Sequence, residues 1–132
     1  MNLPIRLEHV GYMVADPPAV AAWYSEHLGF QVLRGLDASP FTQFVADASG
    51  RIMIEIYNNP KAQVPDYASL DPLVLHLGFV VEDVDATCVR LLAAGASQAG
   101  DCLLTGAGDR LWMLRDPWGM AIQLCQRKNP MV

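Results

Sequence analysis

Residues 9–16 read HVGYMVAD, and residues 76–83 read HLGFVVED, so the second copy begins 67 positions after the first (76 − 9). The copies align His9 with His76, Gly11 with Gly78, Tyr12 with Phe79, Val14 with Val81 and Asp16 with Asp83. The echo returns near the end of each half, where Glu55 in RIMIEIY matches Gln123 in GMAIQLC at an offset of 68 (123 − 55). An internal repeat fixes the architecture before local propensities are weighed. It also sets two histidines, one glutamate and one glutamine at equivalent points.

Working outward from the first copy, residues 5–14 alternate as a half-buried strand does. Asp16 offers a helix N-cap and Pro17 suits the first helical turn. Ala19 to Leu28 forms the helix, and Gly29 ends it. Residues 30–35, 41–47 and 51–57 read as three more strands, with a polar turn over Asp47 to Gly50. The segment from Asn58 to Pro72 carries Pro60, Pro65 and Pro72, a linker composition. The order then recurs: a strand at 73–82, an N-cap at Asp83, a helix over 84–94 stopped by Gly95, and strands near 101–105, 109–115 and 119–127. Asp116-Pro117-Trp118-Gly119 fits a type I turn.

The expected fold class is therefore α+β, one domain spanning residues 1–132. A first βαβββ module covers 5–57, a linker 58–72 and a second module 73–127.

Composition bounds the function. Hydrophobic residues make up 52 % and charged residues 17 % of 132, as in a globular domain. A net charge of −5, with no Lys/Arg cluster, argues against a nucleic-acid partner. The apolar runs are too short and too broken to span a membrane. Three cysteines, Cys88, Cys102 and Cys125, lack metal-finger or redox spacing. Reduced thiols and the lack of a signal-peptide pattern predict a cytoplasmic protein.

Residues two apart on a strand share a face. His9, Gly11 and Met13 lie opposite Val10, Tyr12 and Val14. Met53, Glu55 and Tyr57 lie opposite Ile52, Ile54 and Ile56. Gln123 and Cys125 lie opposite Ile122 and Leu124. One face of each sheet is apolar and suited to packing on its helix. The other carries His9, Glu55, His76 and Gln123, with glycines near both histidines, as the lining of a cavity would. Histidine nitrogen and carboxylate oxygen are ligands for Zn, Ni, Mn or Fe. A glutamine carbonyl is a weaker, neutral fourth ligand. Met13, Met53, Tyr57 and Cys125 on the same face are candidate substrate contacts, methionine supplying an adaptable apolar lining. Asp16, Asp83 and Asp116 are explained by capping and turns, and Trp23 and Tyr24 by core packing. Arg110, Arg115 and Lys128 are candidates for an anionic substrate group.

The pieces LEHVGYMVADP, AWYSEHLGF, HLGFVVEDVDA and DPWGMAIQL resemble the vicinal oxygen chelate superfamily, which includes glyoxalases, bleomycin-resistance proteins and extradiol dioxygenases. The match runs over about residues 5–126. It implies a curved, barrel-like mixed sheet with helices outside, a homodimer, and metal ligands at His9, Glu55, His76 and Gln123. The His, Glu and His positions resemble the lactoylglutathione lyase branch, as does Asn59, four residues after Glu55 and a candidate substrate contact. Two departures stand out. Gln123 replaces the family's commonest glutamate, and a glutamine cannot act as a base. Met13 stands where that branch commonly has a glutathione-binding arginine.

Two function classes follow. One is a divalent-metal-dependent lyase or isomerase, less readily a dioxygenase, acting on a small oxygenated molecule with Glu55 as the base. The other is a metal-free protein that binds or sequesters a small molecule, as bleomycin-resistance proteins do.

Overall fold

The computed structural model describes residues 3–132. By its internal contacts the chain forms two compact units, dividing between Pro65 and Asp66. In the first, strand β1 (His9–Met13) leads into helix α1 (Pro17–Leu28), followed by β2 (Gln31–Gly35), β3 (Gln43–Ala46) and β4 (Met53–Tyr57). The sheet order is β1-β4-β3-β2, with β1 parallel to β4 and the other pairs antiparallel.

The helix begins where the sequence says it should. Asp16 accepts the Ala19 amide at 3.2 Å, Pro17 opens the first turn, and Gly29 closes the helix in the left-handed region at φ 71°. Helix α1 packs across β2, β3 and β4. Val20, Tyr24, Val45, Ile54 and Ile56 are buried in this layer. Tyr24 and Phe30 meet edge to face at 5.7 Å, a favourable ring geometry.

The second unit repeats the plan with one strand more. A single 3-10 turn at Tyr67–Ser69 precedes β5 (Leu77–Val80) and helix α2 (Val84–Ala93). Then come β6 (Ser97–Gln98), β7 (Leu103–Leu104), β8 (Arg110–Arg115) and β9 (Ala121–Gln126). The sheet order is β5-β9-β8-β6, with β7 also paired to β8 and β5 parallel to β9. Asp83 caps α2 through the Ala86 amide at 2.9 Å. Val84, Cys88, Leu91, Leu114, Ile122 and Leu124 form the core between helix and sheet.

Several expectations are corrected. The first strand is shorter than 5–14 because β4 begins at Met53, opposite His9, and offers nothing to pair with residues 5–8. The strand expected at 73–82 starts only at Leu77. Asp71 turns the chain first, its side chain taking the Leu73 amide at 2.8 Å and its carbonyl the Val74 amide at 2.9 Å. The strand expected at 101–105 shrinks to Leu103–Leu104 (β7), and an unexpected short strand, β6, precedes it, both pairing with β8. Each unit's sheet is open, with distinct edge strands, and neither closes into a barrel.

The expected turn at Asp116–Gly119 is present and tightly held. The Asp116 carboxylate accepts the Trp118 and Met120 amides, both at 3.0 Å, and its carbonyl accepts the Gly119 amide. Arg115 donates to the carbonyls of Tyr67, Gly119 and Leu70 at 2.9, 3.0 and 2.8 Å, tying the 3-10 segment to the turn. At Gly119 φ is 93°, and an added Cβ would lie 2.8 Å from the Ala68 amide nitrogen.

Two predictions follow from this packing. Gly119→Ala costs about 3 kcal/mol, from left-handed strain plus a clash with backbone, whereas Gly29→Ala, which meets open space, costs about 1 kcal/mol. Urea unfolding of the two variants reads the difference. Burial pushes the Cys88 and Cys125 thiols up from their ordinary values, suppressing the reactive thiolate. Iodoacetamide at neutral pH therefore labels the half-buried Cys102 first, and labelling of Cys125 climbs only as pH is raised. Mass spectrometry of a labelling time course gives the order.

Candidate metal and substrate site

The parallel pairing of β1 with β4 places His9 opposite Met53 and Gly11 opposite Glu55. His9 and Glu55 are thus diagonal neighbours on one face, within reach of each other's side chains. The His9 Nε2 to Glu55 Oε2 distance is 2.8 Å. On the other side of the ring, Nδ1 donates to Glu8 Oε1 at 2.9 Å. Phe44, the β3 partner of Glu55, meets the imidazole edge to face at 5.7 Å. The Glu55 side chain is 23 % exposed, so it is sheltered yet reachable from solvent. At Gly11 an added methyl would lie 3.8 Å from Glu55 Oε2 and 3.4 Å from the Tyr57 ring. Glycine therefore keeps the space beside the carboxylate open.

The second unit has a related arrangement. Gly78 pairs with Gln123, as Gly11 pairs with Glu55, and nothing stands within 4 Å of a Cβ built there. His76 lies one residue ahead of β5 and is exposed. Its Nδ1 lies 2.8 Å from the Pro72 carbonyl oxygen, an acceptor only, so Nδ1 carries the proton. The Nε2 lone pair is left for a ligand. Gln123 is half-buried, and its Oε1 accepts the Cys125 thiol at 3.5 Å.

These groups bear on a metal in three ways. Metal-bound histidines almost always donate their second ring N–H to a carboxylate or backbone carbonyl, which fixes the tautomer. His9 does so to Glu8 and His76 to Pro72. Two ligands at right angles around a metal, each about 2.1 Å from it, stand on the order of 3 Å apart, close to the His9–Glu55 contact. The donor set of nitrogen and oxygen suits zinc, nickel, manganese or iron. Within the first unit the residues present fit a cation at His9 and Glu55. Among the described residues no three His, Cys, Asp or Glu side chains gather as a ready-made site.

The other candidates fall as follows. Met53 lines a cavity of about 190 Å³ with Glu8, Leu33, Arg34 and Phe44. Tyr57 flanks Gly11. Met13 is buried, its sulfur accepting the Asn59 amide at 3.2 Å, and the Asn59 side chain accepts the Lys61 amide at 3.0 Å. Arg110 is committed elsewhere. It grips Asp85 with both terminal guanidinium nitrogens, at 2.6 and 2.9 Å, and that hydrogen bonding holds the Asp85 carboxyl below its ordinary range. Arg115 is the clamp on the 3-10 segment. Lys128 engages Asp109 through its backbone amide.

The alternation pattern did not single out Glu8, Phe44 or Arg34. Glu8 precedes His9 and belongs to the opposite face by alternation, yet it reaches the ring because the chain is not in a strand there. Phe44 was legible as the cross-strand neighbour once β3 was placed. Arg34 depends on a register shift that sequence does not announce.

A family model, the Glyoxalase/Bleomycin resistance protein/Dioxygenase superfamily, matches residues 6–124. A curated relative, a "Probable lactoylglutathione lyase" of Vibrio parahaemolyticus, is 29 % identical, the match covering 94 % of this chain and 92 % of that one. Among solved structures, a glyoxalase family protein from Bacillus cereus superposes with a TM-score of 0.79 at 19 % identity, covering 95 % of each chain. TnmS3, an antibiotic binding protein from Streptomyces sp. CB03234, does so with a TM-score of 0.70 at 23 % identity, covering 97 % of this chain and 100 % of that one. At those identities the two structures share the fold. The family match spans most of the chain and both copies of the repeat, and the chain belongs to the glyoxalase/bleomycin resistance protein/dioxygenase superfamily.

Proposed function

We propose that this protein is a divalent-metal-dependent lyase or isomerase that acts on a small oxygenated molecule, as a cytoplasmic homodimer. His9, Glu55, His76 and Gln123 are the ligands in this reading, and Glu55 doubles as the base. The observation that carries it is the pair of tethered imidazoles, each with Nδ1 anchored on an oxygen acceptor, one of them 2.8 Å from a half-sheltered carboxylate. A cation held by these residues would supply Lewis acidity, polarising a substrate oxygen and acidifying the neighbouring C–H.

Glu55 then takes that proton and returns it to the adjacent carbon. The lyase name of the Vibrio parahaemolyticus relative supports proton-transfer chemistry over ring cleavage. Gln123 cannot accept the proton at any accessible pH, so this chain works with one base where a second glutamate would supply another. Its amide carbonyl is left to coordinate or to orient substrate. Met13, Met53, Tyr57, Asn59 and Cys125 are the proposed substrate contacts.

One observation favours a second reading. The Gln123 carbonyl oxygen already accepts the Cys125 thiol, and methionine and phenylalanine line a cavity of the first unit. A metal-free protein that sequesters an apolar small molecule fits those facts, and the antibiotic-binding protein TnmS3 is built on the same fold.

Competition of zinc or nickel against a chromophoric chelator tests the leading reading. His9→Ala and His76→Ala each weaken the metal by about a hundredfold, and Glu8→Ala, which removes only the tether on Nδ1, by about tenfold. Gln123→Glu tightens it by about tenfold, since an anionic ligand replaces a neutral one. Equal and weak affinity across the series would leave the sequestering reading in place.

A further inference from the structure

The β2–β3 pairing is irregular: Val32 pairs with Val45, but the next partner of β3, Phe44, faces Arg34, so Leu33 is the extra residue of a β-bulge. Bulges re-aim side chains and recur beside active sites. In an unbroken ladder Arg34 would share a face with Val32 and the helix side of the sheet. The bulge turns it to the other side, and both Leu33 and Arg34 line the cavity of about 190 Å³ with Phe44, Met53 and Glu8. Gly11, Glu55, Phe44 and Arg34 thus form one row across four strands.

Arg34 enters none of the ion pairs among the described residues, whereas Arg110 and Arg127 are each held by an aspartate. A guanidinium over an apolar floor is suited to a carboxylate, which it meets with two parallel hydrogen bonds. The nearby Glu8 carboxylate disfavours a doubly charged group such as a phosphate monoester, since like charges repel more as charge rises.

We propose that Arg34 anchors the carboxylate of a small monocarboxylic acid whose apolar body lies on Leu33, Phe44 and Met53. Strands about 4.8 Å apart put the Arg34 backbone roughly 10 Å from that of Glu55, so the anchored acid reaches back along the row to Glu55. The inference deepens the proposed function and rests on it only in taking the His9–Glu55 face as the ligand face.

The test uses chelator-treated protein, so that it stands apart from metal binding. The probes are 3-phenylpropionate and its neutral amide, 3-phenylpropanamide, followed through the Met53 methyl and Phe44 ring resonances. Wild type binds the acid about tenfold tighter than the amide, with shifts at both residues. Arg34→Gln abolishes that preference while leaving the amide affinity unchanged, and Arg34→Lys keeps part of it because the charge remains without the fork. Equal affinity for the two probes overturns the proposal. So does a preference that survives Arg34→Gln, or the absence of shifts at Met53 and Phe44 with either probe at millimolar concentration. A protein that fails to bind metal but passes this test would retain the anion anchor and lose the lyase reading.

Discussion

The site depends on the register of one parallel strand pair, repeated. In each unit the first strand lies beside the last, so that Gly11 meets Glu55 and Gly78 meets Gln123. A slip of one residue in such a pair exchanges the two faces. Glu55 would then point under helix α1, among Val20, Tyr24 and Val45, and Ile54 would face the cavity. Burying an unpaired carboxylate there costs far more than the slip could recover. The apolar positions Ile54 and Ile56, both nearly fully buried, thereby hold His9 and Glu55 on one side of the sheet. The packing of the core and the geometry of the site are one constraint.

Within that shared frame the two halves have diverged in charge. The first unit surrounds its histidine with two carboxylates, Glu8 and Glu55. The second gives its histidine a neutral carbonyl from Pro72 and sets a neutral amide at the position matching Glu55. A carboxylate at this position is therefore offered by the first copy alone. The turn at Asp71, which prevents the chain from pairing as far back as Leu73, is also what brings the Pro72 carbonyl to the ring of His76. A local departure from strand thus sets the tautomer of a candidate ligand.

Much of this was legible in the sequence, and the rest was hidden for identifiable reasons. The repeat placed both helices, both aspartate caps and the last turn, because capping and turn chemistry are local. Family membership followed from the same residues. The run from Leu73 to Leu75 misled, since apolar residues in a row look like a strand whether or not a partner exists, and here all three are exposed. The extra short strand escaped because Ser97 and Gln98 carry no β signature. Arg110 was legible as a cation but not as the partner of Asp85, a contact made across the second unit. The bulge at Leu33 is invisible to any two-residue alternation, and with it the placement of Arg34.

The proposed function requires both tethered imidazoles as metal ligands. X-ray absorption spectroscopy on protein loaded with a single equivalent of zinc or nickel counts imidazole ligands directly. Two imidazoles, from His9 and His76, at about 2.1 Å are expected, falling to one in either His→Ala variant. A spectrum fitted by oxygen ligands alone, or one unchanged by both substitutions, would contradict it.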